Sequence, residues 1–303
     1  VISTPRLRRI LAATAAVTAG LVFAGPGAQA VQNMPDRAQV TVPQVTKIVV
    51  FMVENHSLSE MKAQMPYVYS LATRYAYASD YSAITHPSLP NYLAISGGST
   101  FGVTDDSGPS VHVLHGLSVF GQALANHKTA KLYADSMTSN CQLTNAGEYA
   151  VRHNPWTYYV DSRAACRRYD VPVAALRTDA AAGRLPNVSM VIPNLIHDAH
   201  DGTLAQSDAW IRGQVRLLMA GPDWRAGRLG IVITADEDDR LHGNKVLTVV
   251  ASKYQTHRVV TTALNHYSLT RLMEDVLGVR YLRNAATARS MKSAFGIRTL
   301  PRP

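Results

Sequence analysis

The chain has 303 residues, 47% of them apolar and 17% charged, and a mean hydropathy near zero. Intrinsic disorder, which needs low hydrophobicity and high charge, is excluded. Lys and Arg outnumber Asp and Glu by 30 to 21, a formal charge of +9, and setting aside Arg6, Arg8 and Arg9 at the start leaves +6. That balance suits anionic substrates or surfaces. The basic residues are scattered, with no helix-turn-helix, finger or basic-zipper pattern, so a nucleic-acid partner is excluded as well.

Residues 1–30 read as a secretory signal peptide. A basic start precedes the apolar stretch Ile10 to Phe23, the breakers Gly25-Pro26-Gly27, and Ala28 and Ala30 at the −3 and −1 positions. The apolar run is shorter than the ~20 residues a membrane span needs, and no later segment is apolar enough to span. The expectation is therefore a secreted, extracellular protein without a transmembrane segment after cleavage. Residues 31–42 are expected to be flexible, 43–283 to form one domain, and 284–303 to be a disordered-looking tail.

In chain order, Val45 to Val53 (VTKIVVFMV) is a near-continuous β-branched run, the pattern of a strand buried on both faces. Met61 to Tyr75 has helical spacing, a strand near Ala76 to Ala83 follows, and Ser88 to Ile95 opens another helix. Ser118 to Ala125 predicts a helix, Ala130 to Ala134 a short strand, Val171 to Ala182 an Ala-rich helix, and Val188 to Ile192 a strand. Ala205 to Met219 is an amphipathic helix, Leu229 to Thr234 a buried strand, Lys245 to Ala251 strand-like, and Tyr267 to Leu277 the closing helix. This alternation predicts an α/β fold, a mostly parallel central sheet sandwiched by helices. Cys141 and Cys166 are an even pair, which outside the cytoplasm reads first as a disulfide and otherwise as two buried thiols.

In open parallel sheets reactive groups gather at the carboxyl ends of the strands. Five predicted strand ends here carry such groups: Glu54-Asn55-His56; Thr85 to Tyr92; Pro193-Asn194 with His197, Asp198, His200 and Asp201; Asp236 to Asp239; and Asn265-His266-Tyr267. Any one of them reads equally as a solvated loop, but five at one sheet edge point to a site. Glu54, Asn55, Asp236 and Glu237 supply hard oxygen donors suited to Ca²⁺, Mg²⁺ or Mn²⁺. An imidazolium binds phosphate or protonates a leaving oxygen at mildly acid pH.

Glu54-Asn55-His56-Ser57, the segment His86-Pro87-Ser88-Leu89-Pro90-Asn91-Tyr92-Leu93, and Arg152 to Trp156 resemble the secreted phosphoesterase family. So do Asp198 to Gly202 with Asp208-Ala209-Trp210, Asp236 to Asp239, and Asn265 to Ser268. That family contains bacterial acid phosphatases and phospholipases C, within the alkaline-phosphatase superfamily. His197 and Arg240-Leu241 depart from its pattern; at the latter a Gly-containing turn is more usual. The resemblance implies a metal-dependent phosphomonoesterase working through a phosphoseryl intermediate on a phosphorylated small molecule or phospholipid head group. A phospholipase C or other phosphodiesterase, and a non-catalytic binding protein, are the alternatives. It further implies one divalent cation (Ca, Mg, Mn or Zn), with a second left open, held by Glu54, Asn55, Asp236, Glu237 and the nucleophile. His200 and His266 are expected in phosphate binding or acid catalysis, and His153 and Asp198 on the substrate side.

For the nucleophile, Ser82, Thr85 and Ser88 compete. Ser88 follows Pro87 and precedes Leu89, Tyr92 and Leu93 at helical spacing, which predicts it as the N-cap of a helix, where free N–H groups and the dipole attract phosphate. Asn91, three residues on, is expected to donate its amide to a phosphate oxygen. The resemblance puts the nucleophile three residues before this Asn, at Ser88.

Overall fold

A computed structural model describes residues 42–301. The signal-peptide reading of residues 1–30 and most of the 31–42 segment lie outside the described residues. Ten strands are formed: β1 Lys47–Val53, β2 Ala76–Ala78, β3 Tyr81–Ser82, β4 Ala130–Ala134, β5 Asp170–Pro172, β6 Val188–Ile192, β7 Leu229–Ala235, β8 Thr248–Ser252, β9 Arg258–Val260 and β10 Leu264–Asn265. Eight of them make one sheet in the order β5-β4-β6-β1-β7-β8-β2-β9, and β10 pairs with β3 separately. Strand β1 lies at its centre, parallel to β6 on one side and β7 on the other. Every residue of β1 except Lys47 is buried, as its unbroken apolar run requires when helices cover both sheet faces. The expected α/β architecture with a mostly parallel sheet is what the chain adopts.

Strand β8 departs from the parallel rule, running antiparallel to both β7 and β2. Its link to β7 contains no helix, and a parallel return needs a crossover of a dozen or more residues, usually helical. Two helical expectations are changed by prolines. The Met61–Tyr75 run is two helices, Leu58–Gln64 and Pro66–Arg74, because Pro66 has no N–H to continue the first but fits the opening turn of the second. In the Val171–Ala182 stretch, residues before Pro172 are held extended; they add β5 to the edge of β4, and the helix is only Ala174–Ala181.

The expected tail is also folded. A helix over Met291–Phe295 buries both its end residues against the core, and Val45 N donates to Arg298 O at 2.7 Å beside a Val45–Thr299 bridge. Polar neighbours mask the i, i+4 pair Met291 and Phe295, too few apolar residues to stand out as a period.

Cys141 and Cys166 are disulfide-bonded, with Cα atoms 5.3 Å apart and a sequence separation of 25. The bridge ties the loop after β4 to the helix Arg163–Tyr169 that leads into β5. Closing a loop of that length stabilises by about 3–4 kcal/mol in the chain-entropy account. The double variant Cys141→Ser/Cys166→Ser is accordingly expected to lose stability of that order in urea unfolding. A loss under about 1 kcal/mol would show that the bridge does not constrain the unfolded chain as that account requires.

Candidate active site

The register of the central strands builds the site. Val53 lies opposite Ala235, so Glu54 and Asp236 are the first residues past the paired segment, and Asp236 N donates back to Val53 O at 3.0 Å. Across the other side of β1, Glu54 N donates to Asp198 O at 2.8 Å, which brings the loop after β6 to the same edge. Three carboxylates from three strand ends thus converge, and Glu54, Asp198 and Asp236 are all fully buried.

The helix Ser88–Gly97, every residue of it buried, approaches from the β3 side. Ser88 is its first helical residue and Pro87 the N-cap, which corrects the expected capping role: the Ser88 hydroxyl makes no cap bond. Ser88 Oγ instead donates to Glu54 Oε2 at 3.0 Å. One turn along the same face, the Tyr92 hydroxyl donates to Glu54 Oε1, and its ring stacks on His153 with centroids 5.2 Å apart. Of the three competing hydroxyls, only Ser88 lines the cavity of about 240 Å³ at this edge, which it shares with Asn55, His200, Glu237 and Arg240. Ser82 belongs to β3, and Thr85 Oγ1 is turned to the His86 carbonyl at 3.2 Å.

The other expected residues divide. Asn55 N donates to Asp236 Oδ1 at 3.1 Å. Its left-handed backbone, φ 55°, re-aims the chain beyond β1. Glu237 faces Asn91 Nδ2 at 3.0 Å and His86 Nδ1 at 2.9 Å, so both of its oxygens have neighbours. Asn91 does not offer its amide to the cavity as expected. It is buried, donating to Thr85 O and Glu237 Oε2 at 2.8 and 3.0 Å while Oδ1 accepts from Ile84 N and Thr85 N. Its place is as a brace for the loop before Ser88.

His266 is corrected more strongly. It is fully buried, donating from Nε2 to the Asp236 carbonyl at 2.6 Å and accepting at Nδ1 from the Tyr81 hydroxyl at 3.1 Å. Burial pushes its pKa down to about 4, so it is a neutral prop behind the strand end and not an acid facing substrate. His200 is at the cavity rim with its side chain 31% exposed. Its Nδ1 is 2.6 Å from Asp201 Oδ1, and its Nε2 accepts from Arg152 Nη2 at 3.1 Å.

His153 is buried between two acids, Nε2 3.3 Å from Glu54 Oε2 and Nδ1 3.2 Å from Asp198 Oδ2. Burial, then the charges of Arg152 and His200, hold its pKa well below the ordinary value. Burial, followed by the Asp236 and Asp198 charges, raises Glu54 well above the carboxylate range. Asp198 is pushed up to about 7, chiefly by burial, and Asp236 to about 8 by burial and the Glu237 charge.

Among the described residues, Asp198 Oδ2, Asp236 Oδ2 and both His153 nitrogens are buried without a hydrogen-bond partner. Orphaned acceptors of this kind are rare in folded proteins and call for an ion or water. Ligand atoms of Glu54, His153 and Asp198 lie within 4.8 Å of one another. This donor set of carboxylates with one imidazole fits a divalent cation. The histidines of the clusters, if neutral, are also expected from sequence as metal ligands together with Asp198, and His153 is the one the structure places beside Asp198 and Glu54. The sequence assigns no role to Tyr92, Arg152 or Asp106. The i, i+4 spacing of Ser88 and Tyr92 was the signal available for the first.

The phosphoesterase family matches residues 56–280. The chain belongs to that family. Over 96% of its length it is 30% identical to the phosphatidylinositol-3-phosphatase of Mycobacterium tuberculosis, covering 95% of that protein. An acid phosphatase of Aspergillus fumigatus is 28% identical over 59% of the chain, which spans 42% of the fungal protein. Among solved structures, an alkaline-phosphatase-superfamily protein from Vibrio parahaemolyticus covers 83% of this chain and 72% of its own at TM-score 0.56 and 10% identity. A 2-O GAG sulfatase covers 86% and 76% at TM-score 0.59 and 10% identity. At that identity the structural likeness shows the fold alone. This phosphoesterase is a hydrolase acting on phosphate ester bonds.

A carboxyl whose native pKa exceeds its unfolded value binds protons on folding. Its stabilisation is fully present below the unfolded pKa and lost as pH rises through the native one. For Asp236 that window runs from 3.8 to about 8. Metal-free phosphoesterase should therefore lose stability across it, at up to about 1.4 kcal/mol per pH unit for each such group. Asp236→Asn should flatten the fall, and a divalent cation should offset it. Urea midpoints of chelated wild type that are equal at pH 5 and pH 8 would refute the buried-charge assignment.

Proposed function

We propose that this phosphoesterase is an exported, metal-dependent phosphomonoesterase that works through a phosphoseryl intermediate at Ser88. The observation that carries this reading is the placement of Ser88: first residue of a buried helix, on the cavity floor, its hydroxyl held by Glu54. The backbone N–H groups of that first turn favour an anion beside the hydroxyl. Export is supported by the leader pattern of residues 1–30 and by the Cys141–Cys166 bridge.

Glu54, Asn55, Ser88 and Asp236 would hold the cation together with Glu237, and His153, which faces the same Glu54 Oε2 as Ser88, would with Asp198 supply further donors. When bound there it neutralises phosphate oxygens and lowers the pKa of the serine hydroxyl. The Ser88 hydroxyl loses its proton to solvent through the cavity. The Oγ–phosphorus bond forms as the bond from phosphorus to the ester oxygen breaks, and the leaving alkoxide takes a proton to become the free alcohol. That proton comes from solvent at the open rim, because the His200 ring there accepts from Arg152 at Nε2 and turns Nδ1 to Asp201, which leaves it a positioning group. Water then attacks the phosphoserine, releasing phosphate and restoring the hydroxyl. The buried ring of His266 orients the Asp236 carbonyl and so the strand end.

The mycobacterial relative's name supports a phosphoinositide head group as substrate, in keeping with the net positive charge. Ser88→Ala is expected to lower kcat on p-nitrophenyl phosphate by at least about 10³-fold, as loss of a nucleophile does. Chelation should abolish turnover and a divalent cation restore it. Acid quench of wild type with labelled substrate should leave phosphate on Ser88. Phosphate on Thr85, or a Ser88→Ala variant with near-normal rate, sinks the nucleophile assignment, and activity confined to bis-esters sinks the monoesterase reading.

A further inference from the structure

Arg240 sits in a turn whose backbone would suit glycine better. Its φ is +68°, the left-handed region that an L side chain occupies only against its conformational preference. The conformation is imposed by the loop. Asp238, 1% exposed, accepts from Arg240 N, His242 N and Asn244 N at 2.8, 2.9 and 2.8 Å. Its own N–H donates to Asn244 Oδ1 at 2.9 Å. A turn wrapped this tightly around one buried carboxylate fixes where residue 240 projects. Strain kept at a site by surrounding structure is a pointer to function when the strained residue faces the site.

Arg240 does face it, lining the same cavity as Ser88 and His200. Among the described residues its guanidinium makes no hydrogen bond and no ion pair, and its charge is felt only through space, at Glu237 and His86. Arg152, by contrast, is already committed, with Nη2 on His200 and Nε 4.0 Å from Asp106. Ser88 is 3% exposed on the floor, whereas Arg240 is exposed at the rim and is followed by Leu241, 80% exposed. A phosphoryl group seated on Ser88 leaves the alcohol half of the ester pointing to that rim.

We propose that Arg240 is a specificity-determining residue that binds a second anionic group on the alcohol half of the substrate. The favoured substrate class is then a phosphomonoester whose alcohol carries a further phosphate or phosphodiester, whether free in solution or as a lipid head group. The inference rests on the phosphomonoesterase reading above. A planar guanidinium with its donors free is suited to a phosphate oxyanion pair, and such charge-assisted bonds are the stronger kind.

The test compares kcat/KM on p-nitrophenyl phosphate, which has no second anion, with a soluble inositol bisphosphate and with phosphatidylinositol 3-phosphate in phosphatidylcholine vesicles. In Arg240→Gly the preference for doubly anionic over singly anionic ester should fall at least about tenfold, mainly through KM, on one or both of the doubly anionic substrates. Arg240→Lys should retain part of the preference. Glycine suits the left-handed turn, so the melting temperature of Arg240→Gly should not drop. A fall on the soluble ester assigns the second anion to a free phosphate compound, and a fall confined to vesicles assigns it to a lipid. A preference unchanged in Arg240→Gly overturns the proposal, while a wild-type enzyme inactive on all three esters overturns the phosphomonoesterase reading instead.

Discussion

Glu54, Asp198 and Asp236 share one buried edge of the sheet, and three carboxylates removed from water repel one another as well as losing their hydration. Each such group costs several kcal/mol to bury as an anion unless something compensates. Compensation from the chain is partial and comes from a different element in each case. Glu54 receives the hydroxyls of Ser88 and Tyr92, Asp236 the Asn55 amide, and Asp198 the His200 amide. Each acid is therefore a point at which a loop is anchored to the sheet. The acceptors left unmatched at this edge make a group that could hold a cation.

The supporting shell is built to keep these acids where they are. His266 fills the space behind the end of β7 and is held neutral by burial, so it adds a directed hydrogen bond without adding charge. Asn91 performs a similar task for the loop before Ser88, tying two backbone N–H groups, the Thr85 carbonyl and Glu237 to a single amide. Groups that look catalytic by type are here positioning groups, and the Ser88 hydroxyl owes its aim in part to the loop that Asn91 braces.

The sheet was legible because its central strands are buried on both faces and so consist of unbroken apolar runs. Residues 130–134 and 188–192 emerge with their expected bounds. The location of the site followed from the rule that parallel strands gather polar groups at one end. What sequence withheld was orientation. Neither His266 nor Asn91 carries a mark showing whether it faces a cavity or a packed interior, since that is settled by partners distant in sequence, Tyr81 for one and Glu237 for the other. The pairing of His153 with Glu54 and Asp198 was hidden for the same reason. The packed helix Met291–Phe295 escaped notice because two buried residues suffice to dock a single turn onto a core already formed.

The order in which the strands lie has a consequence for assembly of the fold during synthesis. Among the described residues β1 is the earliest strand made, yet its two neighbours are residues 188–192 and 229–235, and Val45 just before it is bridged to Thr299. Local hairpins cannot substitute, because parallel pairing requires the intervening chain to be present. The nascent polypeptide therefore reaches beyond residue 235 before its middle strand is flanked on both sides. Contacts of such long sequence separation also slow folding. For most of its synthesis this chain is one whose centre has yet to close.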